Sequence, residues 1–320
     1  MNTQIKLAII AIAIVIPLAS LAITQTNSPS NNSTNENSKL QVVASATFLY
    51  EFSQNIGKEM IDVTLLVPMG ADPHDWEPTI RDTERLQKAD MIIVNGIGYE
   101  HWLNSLELSD IAGILVDTSN GISTLDSANH DEEKHDDHAK EDGHDDEDNY
   151  NHGVLDPHIW LNPVFAQLQV KNIANALSNS DPTNKNYYQS NAAIYNQKLN
   201  LLDTKIRTEL SGCKTDFITF HDAFSYFSEE YGLTQHTIIS STDSHGDVTP
   251  KTLEHIISLA RELNIKVIFA EENTSTKTSQ VIADEIGGKV LVLSPLEIVS
   301  DETYVEKMTQ NLESLKDALC

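Results

Sequence analysis

From Lys39 onward the chain alternates short apolar runs with longer stretches of helical character, and this alternation constrains the fold more than any other feature. Such a pattern predicts parallel β-sheet with helices packed on its faces. The first half offers strands near 40–46 (LQVVASA), 61–67 (IDVTLLV), 91–95 (MIIVN) and 114–117 (ILVD). The second half offers 216–220 (DFITF), 236–240 (HTIIS), 266–270 (KVIFA) and 289–293 (KVLVL). Four strands in each half predict an α/β protein of two similar lobes, each with a mostly parallel sheet flanked by helices.

Between the two sets, residues 163–210 contain no glycine and read as helix, broken at Asp181–Pro182. The second piece, roughly 25 residues long, would extend about 38 Å, enough to span both lobes. A helical connector is stiffer than a Gly/Ser linker, so it predicts lobes that open little. The expected divisions are an N-terminal lobe at 40–181, a linking helix at 182–211 and a C-terminal lobe at 212–320. Of the 320 residues, 40% are hydrophobic, an ordinary proportion that can fill a sizeable core.

Charge narrows the partners. Lys and Arg total 21 against 48 Asp and Glu, for a formal net charge of -27. Nucleic acid and anionic lipid would repel such a chain, which excludes nucleic-acid function and favours cations. Part of the excess lies in 126–152, where His130, His135, His138, His144 and His152 stand among carboxylates with almost no apolar residue. That segment cannot form a core and reads as a disordered insertion in the first lobe, able to bind extra metal weakly or merely to solvate the surface.

Residues 7–23 form an uncharged apolar run behind Lys6, between the length of a signal-peptide core and a minimal membrane span. Residues 1–24 thus read as a signal peptide or an uncleaved N-terminal anchor, with no cysteine behind the run to carry a lipid. Either reading places the remainder outside the cytoplasm. Residues 25–39 read as a polar, disordered stalk. The two cysteines, Cys213 and Cys320, form no CxxC pair; a disulfide or two unrelated thiols remain open.

Three histidines carry the chemistry. His74 (VPMGADPHDWEP) lies on the loop after the second strand, His158 (LDPHIWLNP) just before a helix start at Asn162–Pro163, and His221 (ITFHDAF) directly after the first strand of the second lobe. Ligands of open parallel sheets bind beyond the carboxyl ends of the strands, so these three predict one cleft between the lobes. Imidazole suits zinc. Asp75 and Asp222 read as exposed carboxylates, Trp76 and Trp160 as packing residues, Glu100 as a structural support, and His101 and His245 as surface residues. Gly96 and Gly98 in NGIGYE lack the third glycine of a phosphate-binding fingerprint.

The motifs PHDWEPTIRDTERLQKADMIIVNGIGYEHWL, DPHIWLNP, FHDAFSYFSEEYGL and KVIFAEENTSTKTSQVIADEIG resemble, in order, landmarks of the substrate-binding receptors of zinc and manganese ABC importers. The resemblance spans roughly residues 40–318. It implies two four-stranded α/β lobes joined by a long rigid helix, with His74, His158 and His221 as metal ligands and an ABC permease as the partner. It also likens the 126–152 segment to the loop of zinc-type members. Where many members carry an aspartate in a DP turn, this chain has Ser294–Pro295; water, Glu271 or Glu297 would complete the site. Glu271 would serve either as fourth ligand or as a partner orienting a histidine through its other ring nitrogen.

A nitrogen-rich site of low coordination number favours zinc over manganese, which prefers more oxygen ligands. Binding needs neutral imidazoles, so affinity is expected to fall as pH drops through about 6. The chain is expected to act as a monomeric metal receptor and not as an enzyme. The competing class is a zinc hydrolase with Glu271 as base, although no HExxH motif is present. A surface adhesin has no specific support in the sequence.

Overall fold

Two four-stranded sheets organise the chain, and every strand pairing in both is parallel. The computed structural model describes residues 39–68, 71, 73–106, 111–125, 155–239, 248–272 and 276–320. The N-terminal apolar run, most of the stalk, the histidine-rich segment with its five histidines, and His245 lie outside the described residues. Among the described residues, no helix is long and apolar enough to cross a membrane.

The first sheet contains β1 (Leu40–Ala44), β2 (Ile61–Leu65), β3 (Met91–Val94) and β4 (Ile114–Asp117) in the order β2-β1-β3-β4. The second contains β5 (Asp216–Thr219), β6 (Thr234–Thr237), β7 (Val267–Ala270) and β8 (Lys289–Val292) in the equivalent order β6-β5-β7-β8. In the interior strands β3 and β7 every residue is buried, because helices cover both faces and leave no solvent side to alternate towards. The expected strand at 236–240 is displaced: β6 begins at Thr234 because Asp216 of β5 registers with it. The apolar residues that suggested the later span, Ile238 and Ile239, are buried just beyond it, donating to the Thr219 and Phe220 carbonyls.

Helices begin where the sequence supplies caps. Helix α1 (Thr47–Gly57) follows β1 directly, and α2 (Ile80–Lys88) opens with a capping box between Thr79 and Asp82. Helix α3 (Pro163–Ser180) starts with Asn162 capping Val164 N–H and Pro163 in the first turn. Pro182 lacks the N–H needed to continue it, and a short 3₁₀ turn leads into α4 (Lys185–Leu210), the predicted long helix. The second half adds α5 (Ser225–Tyr231), α6 (Pro250–Glu262), α7 (Lys277–Ile286) and α8 (Tyr304–Leu319).

Helix α4 packs against both α1 and α8. Asn191 donates to the Ile56 carbonyl at 2.9 Å, and Tyr195 donates to Glu51 Oε1 at 2.7 Å. The other Glu51 oxygen accepts from Tyr304 N–H at 2.7 Å, at the start of α8. One apolar core follows this seam through both halves, from Val42 and Phe52 through Leu199 to Phe269 and Leu315. Cys213 and Cys320 form a disulfide across a separation of 107 residues, fastening the chain just past α4 to the end of α8.

Candidate metal centre

The equivalent strand orders place the C-terminal ends of both sheets where ligand-bearing loops are expected. His74 follows β2, His158 opens a 3₁₀ turn (Ile159–Leu161) before α3, and His221 lies two residues beyond β5. The side chains of His158 and His221 are 0% and 1% exposed and that of His74 only 4%. Each offers one ring nitrogen to a group whose members lie within 4.8 Å of one another. The three sequence-predicted histidines therefore meet in space.

The backbones of His221 and His158 are held by neighbouring groups. The His221 carbonyl accepts from Thr219 Oγ1 at 2.9 Å and Gln235 Nε2 at 3.1 Å. His158 N–H donates to Asp156 Oδ1 at 2.9 Å, which fixes the turn. His74 packs edge-on against Tyr99, with ring centroids 5.4 Å apart. Trp160 stacks on Phe48 at 4.4 Å beneath the site.

The remaining ring nitrogens reveal the division of labour. His158 Nδ1 lies 2.7 Å from Asp156 Oδ1, and His221 Nδ1 lies 2.5 Å from Glu271 Oε1. Each carboxylate fixes the tautomer of its histidine and turns Nε2 inward. Those two Nε2 atoms lie 3.4 Å apart. Two nitrogens bound to one tetrahedral zinc at about 2.0–2.1 Å would be about 3.3–3.4 Å apart. Glu271, expected as ligand or orienting partner, meets His221 at Nδ1.

Glu297 fills the remaining corner. Its Oε1 is 2.8 Å from His74 Nε2 and 3.5 Å from His158 Nε2, and its side chain is 7% exposed. Burial pushes the Glu297 carboxyl up, but the charge and hydrogen bonds of His74 and His158 outweigh it and hold the acid below the ordinary carboxylate range. Burial likewise disfavours charge on His158, yet Asp156 and Glu297 overcome this and raise it to about 10. Sequence reasoning named Glu297 without singling it out and missed Asp156. The signals were a carboxylate three residues past Ser294 and another two residues before His158.

The other residues sort cleanly. Ser294 does not turn to the histidines: its hydroxyl accepts from Leu296 N–H at 3.1 Å, and its backbone exchanges hydrogen bonds with Asn311. Glu100 is buried and accepts from Ser45 Oγ, Asn95 N–H and Gly96 N–H, supporting the turn after β3. Gly96 is required there, since its φ is 87° and an added Cβ would meet Asp117 Oδ1 at 2.2 Å. Trp76 meets Trp102 edge-on, and His101 and Asp75 are exposed. Asp222, expected to be exposed, is instead 5% exposed and accepts from Ser225 Oγ at 2.8 Å, at the first residue of α5.

Known proteins share this arrangement of sheets. The high-affinity zinc uptake system protein ZnuA of Bacillus subtilis (strain 168) is 41% identical over 290 residues, covering 88% of this chain and 88% of the relative. The metal-dependent lipoprotein YcdH from Bacillus subtilis matches with a TM-score of 0.72 at 38% identity, covering 88% of this chain and 99% of that one. Zn(II)-bound AdcA from Streptococcus pneumoniae matches with a TM-score of 0.72 at 28% identity, covering 88% of this chain and 57% of AdcA. The family model for zinc-uptake complex component A, periplasmic, matches residues 42–318, nearly all of both halves and the buried histidine cluster between them, and the chain belongs to that family.

Proposed function

We propose that this protein is an extracytoplasmic receptor that captures one zinc ion between its lobes and delivers it to the permease of an ABC-type importer. The observation that carries this reading is the grouping of His74, His158 and His221, with the His158 and His221 Nε2 atoms 3.4 Å apart and Glu297 against His74 and His158. Three imidazoles and one carboxylate oxygen suit zinc, whereas manganese would draw more oxygen ligands. The relatives named for zinc uptake and the Zn(II)-bound neighbour support the same metal.

Zinc binding displaces protons from the imidazoles, so affinity falls as pH drops, and the neighbouring Asp156 and Glu297 favour the proton on His158 in that competition. Asp156 and Glu271 hold the ring orientations, which limits reorganisation on capture. The lobes at 40–181 and 212–320, linked by the helix at 182–211, separate when the permease docks across both, and the ligands spread. The receptor acts as a monomer, held near its permease by the apolar segment at 7–23. Its role is transport rather than hydrolysis, because Glu271, the base a hydrolase would need, is engaged by His221.

The test is metal analysis of the full chain under zinc and manganese competition, in wild type and His221→Ala. One tightly held zinc is expected in wild type, with loss of tight binding in the variant. Preferential retention of manganese by wild type would sink the zinc reading.

A further inference from the structure

The turn that delivers Glu297 is held in place from the opposite half of the molecule. Leu296, directly before the carboxylate, has a φ of 62°, in the left-handed region that a branched residue such as leucine rarely adopts. It is 3% exposed, and such a conformation persists only where its surroundings impose it. Within its own half, Ser294 Oγ accepts from Leu296 N–H, and Asn311 brackets the Ser294 backbone. Two further bonds come from the first half. Trp160 Nε1–H donates to the Pro295 carbonyl at 2.7 Å, fully buried, and Thr47 Oγ1 donates to the Leu296 carbonyl at 3.0 Å.

Resting on the reading of Glu297 as a zinc ligand, the geometry assigns Thr47 and Trp160 as positioning residues that hold the carboxylate against the histidines from the opposite half. Trp160 sits in the same 3₁₀ turn that His158 opens, so one rigid element carries a ligand and also locates the ligand facing it. Thr47 begins α1, directly after β1 and Ser45, at the carboxyl end of the first sheet. Both donors reach backbone carbonyls, so the register of the turn depends on the two halves staying together. Drawing the halves apart breaks both bonds and withdraws Glu297, leaving zinc with three neutral ligands. Release is thereby coupled to lobe separation through the acidic ligand first.

The experiment follows transfer of the slowly released zinc ion from the full chain to a chelator by stopped flow, in wild type and in Thr47→Val, Thr47→Ser, Trp160→Phe, Glu297→Ala and the Thr47→Val/Glu297→Ala double variant. Thr47→Val and Trp160→Phe are expected to accelerate release about tenfold, at the lower end of what loss of an outer-sphere partner produces. Thr47→Ser, which keeps the hydroxyl, is expected to match wild type. Thr47→Val is expected to add nothing once Glu297 is gone. A wild-type rate in Thr47→Val, or an equal acceleration in the Glu297→Ala background, overturns the assignment while leaving Glu297 a ligand. A wild-type rate in Glu297→Ala overturns the ligand reading and the assignment together. Thr47 is only half-buried, so its variants carry the test even where Trp160→Phe disturbs folding.

Discussion

Glu271 and Glu297 are both buried beside histidines, yet they face different ring nitrogens, and that difference decides what each does. Glu271 meets Nδ1 of His221, whose Nε2 faces that of His158 and stays open to the proposed metal. Glu297 meets the Nε2 atoms of His74 and His158, the nitrogens that the proposed metal site would use. Loss of an outer partner typically weakens metal binding by about 10–100-fold. Glu271→Ala is therefore expected to fall in that range by chelator competition, and Glu297→Ala to lose more. A larger loss in Glu271→Ala would exchange the two roles.

At the scale of elements, the turn after β3 is built around a buried carboxylate. Burial pushes Glu100 up from 4.5 to about 7, only partly offset by hydrogen bonds from Ser45, Asn95 and Gly96. A folded-state value above the unfolded one means that the folded chain binds the proton more tightly. Its contribution is thus fully present below about 4.5 and is lost as pH rises through about 7. Urea unfolding of wild type and Glu100→Gln across that window should show wild type losing stability relative to the variant as pH rises. A constant difference between them would show that Glu100 keeps one protonation state throughout.

The elements were legible in the sequence wherever local signals agreed. Apolar runs located β1, β3 and β7, and Asn162–Pro163 marked the start of α3. For β6 the apolar residues Ile238 and Ile239 suggested a later span, because burial and ladder pairing are separate properties and only pairing with Asp216 sets the register. The three histidines were legible because each sits beside a strand end or helix start. Glu297 was not singled out, because its approach depends on the left-handed Leu296 and on hydrogen bonds from Thr47 and Trp160, some 249 and 135 residues away from their acceptors in sequence. No local pattern encodes such contacts.

For the molecule as a whole, the seam along α4 and the shared core tie the two halves together. The Cys213–Cys320 disulfide adds to this by closing a loop that contains the entire second sheet. In the chain-entropy view a loop of about 100 residues is worth up to about 4.7 kcal/mol, less any native-state strain. Cys213→Ser/Cys320→Ser is expected to lower unfolding stability by about 2–4 kcal/mol in urea titration while leaving zinc affinity close to wild type. A large loss of affinity with little loss of stability would mean that the disulfide shapes the site rather than the fold.

The most direct measurement is zinc K-edge X-ray absorption of the full chain carrying one equivalent of zinc. Four nitrogen or oxygen neighbours at about 2.0–2.1 Å are expected, three with the multiple-scattering signature of imidazole, and one fewer imidazole in His221→Ala. A six-coordinate, oxygen-rich shell, or a spectrum unchanged by His221→Ala, would contradict a zinc ion held by His74, His158, His221 and Glu297.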